Sequence, residues 1–324
     1  MSGASHRFSF EERITYLKEY GSHCMSFSAL QPGIQYFDMP GKGYIAYEKK
    51  WGLRAVLSDP VCHEKDQETL IGEFLNKGGF TGFAQISEPV TKLLHEKFGF
   101  YATQLGIESI IDLKNWNLKG KKKQILRTSL NQAAKKGITV QENYHENRHN
   151  QFSKEWLKTR KVKSREIRFL IRPMNMDYEE GTRKFFACQG DKLIGFIFFD
   201  PVYSNGEIIS YVPNISRFSR SFRQGIFYTI MIHAMDNFKK EGIEQIHLGL
   251  SPFAVSDMNS HYESGIPKKL VRFLYQHGNK IYSFKGMHFT KSRFRGTEYR
   301  TFCSHKGKLP FREILSLFKI SNFF

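Results

Sequence analysis

Cysteine is scarce in this chain, and its few cysteines lie far apart. They form no CxxC pair and no cysteine–histidine ligand spacing, which argues against a structural zinc site or a disulfide framework; they are Cys24, Cys62, Cys188 and Cys303. Long apolar runs are missing too. No stretch approaches the ~20 apolar residues of a bilayer-spanning helix, and residues 1–12 contain no signal-peptide core. We therefore expect a reducing, cytoplasmic setting, no bound metal, and at most a peripheral contact with the inner face of a membrane.

Acidic residues are few relative to basic ones. The 324-residue chain has 31 Asp and Glu against 49 Lys and Arg, so its formal net charge is +18 and its pI is near 9.6. Such a balance says little about the fold, but it favours polyanionic partners such as RNA, anionic lipid or a polyphosphate ligand. The excess is concentrated between Lys114 and Lys136, where no Asp or Glu occurs.

This acid-free segment is predicted to contain a helix over 121–136 that ends at Gly137. Lys and Arg supply most non-specific affinity for phosphates, so the segment is predicted to bind nucleic acid or a lipid phosphate, with a solvated face as the alternative. Trp116 beside it is either a stacking platform or a core residue. The basic residues concerned are Lys119, Lys121, Lys122, Lys123 and Arg127.

Periodicity and turn residues predict two similar units. Antiparallel strands over 33–59, a helix over 65–77, a strand over 80–86 and a helix over 88–97 form the first. The second has strands over 184–189, 192–199 and 207–212, a helix over 225–241 and a strand over 243–249. The repeated order indicates a duplication and a mixed α/β (α+β) fold with mostly antiparallel sheets flanked by helices. We place the units at 1–147, including a basic helix at 118–137, and 148–324.

Three arginines precede the helix of the second unit at three-residue spacing. They are Arg217, Arg220 and Arg223, followed by Gly225. An arginine-rich loop that opens a helix is a ready anion site, because free backbone N–H groups and the helix dipole add to the guanidinium charge. A phosphate-bearing donor is therefore predicted here, and a solvated patch is the alternative. Only one glycine is present, which weakens coenzyme A as the donor.

The order of strands, helix and strand resembles acyltransferases of the GNAT type, in which two neighbouring strands splay apart and donor and acceptor meet in the gap. Further segments together resemble the C-terminal catalytic domain of the phosphatidylglycerol lysyltransferases. The matching pieces are residues 43–47, 57–61, 108–113, 118–122, 248–252 and 284–286, with Leu126, Arg127, Asn131, Lys291, Arg293, Phe294, Tyr299 and Arg300.

The resemblance implies a tandem GNAT-like fold with a tunnel, entered by the end of an aminoacyl-tRNA from one side and by a lipid head group from the other. It implies an aminoacyltransferase that needs no cofactor and uses aminoacyl-tRNA as co-substrate. The basic residues of the acid-free segment then become candidates for the tRNA acceptor stem. Two positions depart from the family pattern, where Asn214 and Tyr228 replace the usual Asp residues.

A basic and aromatic segment near the end of the chain is a second substrate-binding candidate. Its cations lie on an aromatic floor suited to a phosphodiester or an ester carbonyl, with structural ion pairing as the alternative; they are Lys285, Lys291, Arg293 and Arg300. Beyond them, a short helix over 309–324 carries Phe311, Ile314, Leu315 and Phe318 on one side. This helix either packs on the core or anchors the protein at a membrane surface.

The candidate catalytic residues are Glu108, His247, Tyr211 and Ser251. Glu108 would bind the donor's ammonium group or act as a base. His247 would accept the proton of the attacking hydroxyl, and the alternative is a structural histidine, which is the more usual role on a strand. Asp59 before Pro60 is more typical of a turn cap. We predict transfer of an amino acid from aminoacyl-tRNA to a phospholipid such as phosphatidylglycerol. The alternatives are a coenzyme A-dependent N-acyltransferase and a non-catalytic protein that binds RNA or anionic lipid.

Overall fold

Runs of strands are interrupted by helices along the chain, which the computed structural model describes over residues 7–143, 147–159, 167–255, 260–277 and 284–322. The first half contains α1 (Phe10–Tyr20), β1 (Gln35–Met39), β2 (Gly43–Lys50), β3 (Leu53–Leu57), β4 (Val61–Cys62), α2 (Gln67–Asn76), β5 (Phe80–Ile86), α3 (Glu88–Phe98), β6 (Tyr101–Asp112), α4 (Gln124–Lys135) and β7 (Ile138–Glu142). The second contains α5 (Asn147–Lys158), β8 (Arg183–Gln189), β9 (Lys192–Ser204), β10 (Glu207–Phe218), α6 (Arg223–Lys240), β11 (Gln245–Pro252), α7 (Gly265–His277), α8 (Phe284–Ser292), β12 (Thr297–His305) and α9 (Phe311–Ile320).

All of these strands belong to one sheet, in the order β1-β2-β3-β5-β12-β6-β11-β10-β9-β8-β7, with β4 paired to β2. Neighbours are antiparallel except for β3 with β5 and β10 with β11. Each parallel pair is connected through a helix, α2 in the first half and α6 in the second. The predicted mixed α/β fold with a mostly antiparallel sheet is confirmed, and the repeated order of elements is visible in it.

The two halves exchange their last strands. β12, from the end of the chain, lies between β5 and β6, while β6 pairs with β11 of the second half. β7 pairs with β8, and α4 packs on α6, so both contact the second half although they precede residue 147. The division at 147/148 stays a prediction, and the strand exchange makes one continuous sheet of the two repeats.

Local signals set the ends of α1, which the sequence analysis did not predict, and of α3, which it did. Ser9 and Glu12 form a capping box at the start of α1. Gly99 ends α3 in the left-handed conformation, at φ 64°, where its N–H donates to the carbonyl of His95. These motifs depend only on neighbouring residues, which is why the predicted bounds of α3 are nearly those observed.

The strand predicted to end at Val212 is longer, and this prediction was wrong. β10 continues to Phe218 in pairing with β9, with a register shift between Pro213 and Ile215. A proline at a bulge does not need to donate a ladder hydrogen bond, so it does not end the strand. Arg217 therefore lies within a strand rather than in a loop.

The second half has an aromatic core, which accounts for much of the chain's phenylalanine content. Phe185, Phe199 and Phe238 pack edge to face between the sheet and α6, with ring centroids 5.4–5.7 Å apart. Tyr228, at a family departure, is fully buried in the same cluster. Among the described residues, no helix has both the length and the apolar character to cross a membrane.

Candidate active site

The parallel strands β10 and β11 separate after a short contact. They pair only at Ser210 with Gln245 and at Tyr211 with Ile246. β10 then bulges at Pro213, and β11 bulges between His247 and Leu250, around Gly249 at φ 70°. This splayed gap, between residues 212–218 of β10 and 247–252 of β11, frees backbone groups and opens the sheet at its centre. Two splaying strands were expected from the GNAT-like order of elements.

A buried carboxylate and a histidine meet beside this splayed gap. Glu108 on β6 is opposite Leu250, and its Oε1 is 3.0 Å from Nδ1 of His247 on β11. The other oxygen, Oε2, accepts a hydrogen bond from the thiol of Cys24 at 3.2 Å. Both Glu108 and His247 are 8% exposed. The sequence predicted each of them separately, and the structure brings them into contact.

The charge of Glu108 is stabilised by its neighbours. Burial would raise the pKa of this carboxyl, but His247, His23 and the thiol of Cys24 outweigh burial and lower the pKa to about 2. An ionised carboxylate only accepts hydrogen bonds, so Nδ1 of His247 is the donor to Glu108. The pair thus fixes the orientation of the imidazole and leaves Nε2 as the ring nitrogen for another partner.

Lys291 on α8 brings an amine into the splayed gap. Its Nζ donates to the carbonyl of Leu250 at 2.8 Å and lies 3.5 Å from where a Cβ on Gly249 would stand. Burial lowers the pKa of Lys291 to about 8, although the Glu108 carboxylate and Cys24 oppose this shift. At neutral pH the amine is mostly protonated, so it can stabilise negative charge that develops in the gap.

The loop after α1 and the end of β3 complete the surroundings of Glu108. Ser58, at φ 72°, has its hydroxyl 3.0 Å from Nδ1 of His23 and 3.3 Å from the hydroxyl of Ser26. Asp59 accepts a hydrogen bond from the N–H of Ser87 at 2.8 Å. Asp59 therefore has a structural role, but it joins two distant segments rather than capping the turn before Pro60.

The cluster also has the donor set of a metal site. One ligand atom each from Cys24, Glu108 and His247 lie within 4.8 Å of one another. Burial raises the pKa of Cys24 well above its usual range, and Glu108 raises it further, so the thiol keeps its proton and donates to the carboxylate. The amine of Lys291 interacts with both Cys24 and Glu108. A metal ion would have to displace these protons beside an ammonium group.

The other two candidate catalytic residues differ in position. Ser251 is fully buried on β11, in register with Ile107 next to Glu108. Tyr211 lies where β10 and β11 are still paired, and its ring stacks on Phe238 with centroids 4.3 Å apart. Burial raises the pKa of its phenol, and Arg183 lowers it. Its contacts are with the aromatic core rather than with Glu108 or His247.

The three arginines before α6 do not share one side. Arg217 is buried against α5, where it hydrogen-bonds to Ser153 and lies 5.1 Å over the ring of Trp156. Arg220 donates to the carbonyl of Thr159 at 2.9 Å, and Arg223 is the first residue of α6. At Gly225, the ring of Phe222 occupies the space that a Cβ would take. The first turn of α6 is thus covered by an aromatic ring.

The basic and aromatic segment surrounds α8. Lys285 is exposed near the start of this helix, and Arg293 lies 3.7 Å over the ring of Phe289. Arg300 on β12 hydrogen-bonds to Glu263 at 2.8 Å and to Glu88. Of the four predicted cations, Lys291 contacts the splayed gap and Arg300 is held by carboxylates.

The acid-free segment divides into free and bound lysines. Lys119, Lys121 and Lys122 are exposed. Lys123 lies 4.4 Å over Trp116, and Arg127 donates to the carbonyls of residues 118 and 120. Trp116 itself donates to the carbonyl of Phe294 at 2.7 Å. Of the five predicted phosphate-binding residues, three lysines therefore face solvent, while Lys123 and Arg127 hold the indole and the loop in place.

Sequence reasoning missed Cys24, which it considered only for metal or disulfide spacing, and His23, which it did not consider. Cys24 is 84 positions away from Glu108 in the chain. No local motif links the two, so only the fold reveals their contact. Asn214, the other family departure, donates to the hydroxyl of Ser28 at 2.6 Å.

Comparison with known proteins supports an aminoacyltransferase relationship. Residues 14–305 match a family model described as phosphatidylglycerol lysyltransferase, C-terminal. The chain is 24% identical to the phosphatidylglycerol lysyltransferases of Staphylococcus aureus (strain MRSA252) and Bacillus subtilis (strain 168), over 88% of its own length in both cases. It spans about a third of these relatives, since the matches cover 34% of each. The structure of L-PGS from Bacillus licheniformis shares the fold, with a TM-score of 0.79, 23% identity and 96% coverage of both chains.

Proposed function

This chain belongs to the phosphatidylglycerol lysyltransferase C-terminal family, and we propose that it transfers an amino acid from aminoacyl-tRNA to the head group of phosphatidylglycerol. The membership confirms the resemblance seen in the sequence. The observation that carries the proposal is the Glu108–His247 pair at the splayed gap, with the ammonium of Lys291 beside it.

The proposed reaction needs one proton acceptor. A head-group hydroxyl attacks the ester carbonyl carbon of the aminoacyl-tRNA, and its proton passes to Nε2 of His247. The bond between the acyl carbon and the ribose oxygen then breaks, and the ribose oxygen takes the proton back from His247. Glu108 holds the imidazole in the required tautomer and stabilises its charged form, as carboxylates do in hydrolase triads.

Lys291 is proposed to stabilise the oxyanion of the tetrahedral intermediate. Its Nζ already donates to a strand carbonyl in the splayed gap, so it is held where the acyl group would lie. An amine in a buried setting interacts strongly with a developing negative charge. Because the tRNA ester is already activated, placement and charge stabilisation would supply most of the rate.

The exposed lysines of the acid-free segment are proposed to bind the tRNA backbone. Lys119, Lys121 and Lys122 point to solvent, and such lysines bind phosphates in a salt-dependent manner. Peripheral location at the inner face of the membrane is part of the same proposal, because the acceptor is a membrane lipid.

Coenzyme A is disfavoured as the donor. In the alternative, its pyrophosphate would bind the first turn of α6, but the ring of Phe222 lies against Gly225 there. A thermal shift with coenzyme A and none with aminoacyl-tRNA would select this alternative.

The test is transfer of label into lipid. The protein is incubated with vesicles containing phosphatidylglycerol and with tRNA pools charged with radiolabelled amino acids. We expect label in the organic-extractable fraction, abolished by treatment of the charged tRNA with RNase before the reaction. Absence of labelled lipid for every charged tRNA would refute the proposal, and tRNA or lipid binding without transfer would select the non-catalytic alternative.

A further inference from the structure

The last helix, α9, exposes apolar side chains and buries polar ones, the reverse of an ordinary surface helix. Phe311 and Leu315, one turn apart, are 60% and 52% exposed, while Glu313 and Ser316 are buried. The carboxyl oxygen Oε1 of Glu313 has no hydrogen-bond partner among the described residues, and burial raises the pKa of this group. Of the two alternatives left open for the apolar stripe, packing on the core therefore does not hold for Phe311 and Leu315. The side chain of Phe318 is not among those that the structure describes.

A second exposed aromatic lies next to this face. Trp51, in the turn between β2 and β3, is 57% exposed. The following residue is Gly52, and a Cβ atom placed on it would be 3.9 Å from a guanidinium nitrogen of Arg312. This guanidinium lies 4.9 Å over the ring of Phe80. The turn that carries Trp51 thus lies beside α9, on which Phe311 and Leu315 are within one turn of Arg312, and Leu309, 45% exposed, lies just before this helix.

Cations surround these apolar side chains. One shallow concavity is lined by the turn and by Lys49, Lys50 and Lys77, and it meets a second one, lined by Lys306, at Gly79; their described lining contains no acidic residue. Lys49, Lys50 and Lys77 form no salt bridge with a described residue. Exposed aromatic and aliphatic groups ringed by lysines are typical of surfaces that lie in a lipid interface.

We propose that this surface, formed by Trp51, Leu309, Phe311 and Leu315 with the surrounding lysines, docks the protein onto an anionic phospholipid bilayer. The apolar side chains enter the head-group region, and the lysines face the lipid phosphates. This surface adds a membrane-binding site, separate from the splayed gap, to the proposed function. It rests on the proposed function in one respect only, which is that the lipid is the acceptor.

Charge and residue type favour a bilayer over other occupants. A second copy of the chain would bring the same lysines together, which is unfavourable. RNA would use the indole of Trp51 for stacking, but it has no use for Leu309 and Leu315. A bilayer with anionic lipid satisfies both the cations and the aliphatic groups.

The test measures vesicle binding without tRNA. The 324-residue protein is sedimented with vesicles of phosphatidylglycerol and phosphatidylcholine, and with vesicles of phosphatidylcholine alone. We expect Phe311→Ser/Leu315→Ser to lower partitioning on the anionic vesicles about 100-fold, and Lys49→Gln/Lys50→Gln/Lys77→Gln to do so on the order of 100-fold. The emission of Trp51, isolated by comparison with Trp51→Phe, should shift to the blue when vesicles are added.

Matched controls exclude general effects of the substitutions. Phe10→Ser/Ile209→Ser removes two other exposed apolar side chains, and Lys65→Gln/Lys192→Gln/Lys240→Gln removes three other exposed lysines. The partitioning of these control variants on anionic vesicles should stay within about threefold of the wild-type value, because charges far from the membrane surface contribute only weakly. Melting temperatures of all variants check that each remains folded.

The outcomes separate this inference from the proposed function. Transfer to short-chain phosphatidylglycerol dispersed in detergent should be unchanged in both surface variants, since neither alters the splayed gap. If no transfer is found but the surface variants lose vesicle binding, the docking surface stands and the function fails. Vesicle binding equal to the wild type, loss of a dimer in sedimentation, or loss of tRNA binding with lipid binding retained would overturn the docking surface.

Discussion

Two buried carboxylates of this chain are in opposite electrostatic situations. The carboxylate of Asp200 on β9 accepts a hydrogen bond from Nε of Arg172, which is 2.8 Å from Oδ1 and 2.9 Å from Oδ2. Both side chains are completely buried. Burial raises the pKa of Asp200 despite the pull of Arg172, whereas the neighbours of Glu108 lower its pKa to about 2. A guanidinium does not exchange its proton near neutral pH, but an imidazole does. The difference assigns a structural role to the Arg172–Asp200 pair and a chemical role to the Glu108–His247 pair.

The largest expected effect follows from removing the imidazole. We expect His247→Gln to lower the rate of aminoacyl transfer about 1,000-fold, because the attacking hydroxyl loses its proton acceptor. Steady-state transfer of labelled amino acid into lipid measures this. His63→Gln, at an exposed histidine, is the matched control and should keep the wild-type rate; a rate for His247→Gln within threefold of the wild type would refute the assignment.

The Arg172–Asp200 pair should respond in stability instead. Asp200→Asn leaves the buried guanidinium of Arg172 with only the more distant carboxylate of Glu179, at 3.7 Å, so we expect the free energy of unfolding to fall by about 3 kcal/mol. Denaturant titration measures the loss, and transfer per folded molecule should stay within about threefold of the wild type. Lost transfer with unchanged stability would reverse the roles given to the two carboxylates.

The pH dependence of transfer should reveal whether Lys291 acts together with the Glu108–His247 pair. Its pKa is lowered to about 8, so the ammonium is present below pH 8 and is lost as the pH rises through this value. Transfer should therefore decline on the alkaline side. Lys291→Met should lower the rate at neutral pH about 30-fold and remove this decline, whereas an alkaline limb that persists in Lys291→Met would assign the titration to another group.

The smallest effect is expected far from both carboxylates. Lys119→Gln/Lys121→Gln/Lys122→Gln removes three exposed cations, so the slope of log affinity for tRNA against log salt should become shallower by about 2. Filter binding at several salt concentrations measures this slope. Lys65→Gln/Lys192→Gln/Lys240→Gln should leave the slope unchanged, and equal slopes for both triple variants would exclude the acid-free segment as the tRNA contact.

Local sequence patterns predicted much of the fold. The bounds of β5 and α3 follow from short apolar runs and capping residues, and the repeated order of elements indicated the duplication. The exchange of β6 and β12 between the halves was not predictable, because strand partners far apart in the chain leave no local signal. Pro213 led to the wrong end for β10, because in the sequence alone a proline at a bulge cannot be told from a proline that ends a strand.

The sequence predicted individual residues of the site but not which of them are in contact. Glu108 and His247 each appeared as candidates, yet 139 positions separate them, and their 3.0 Å contact depends on the pairing of β6 with β11. Cys24 joins them from a loop with no recognisable motif. Arg217 was predicted from spacing that assumed a loop, and the longer strand turned its side chain into the protein.

A double-mutant cycle in single-turnover transfer tests the central claim that Glu108 and His247 act as one unit. Aminoacyl-tRNA and phosphatidylglycerol are held at saturation, and the rate of the chemical step is measured for Glu108→Gln, His247→Gln and the double variant. We predict that Glu108→Gln loses on the order of 100-fold or more and that the double variant is no slower than His247→Gln, as in other catalytic units. Losses that multiply in the double variant, or a rate for Glu108→Gln close to the wild type, would contradict the account.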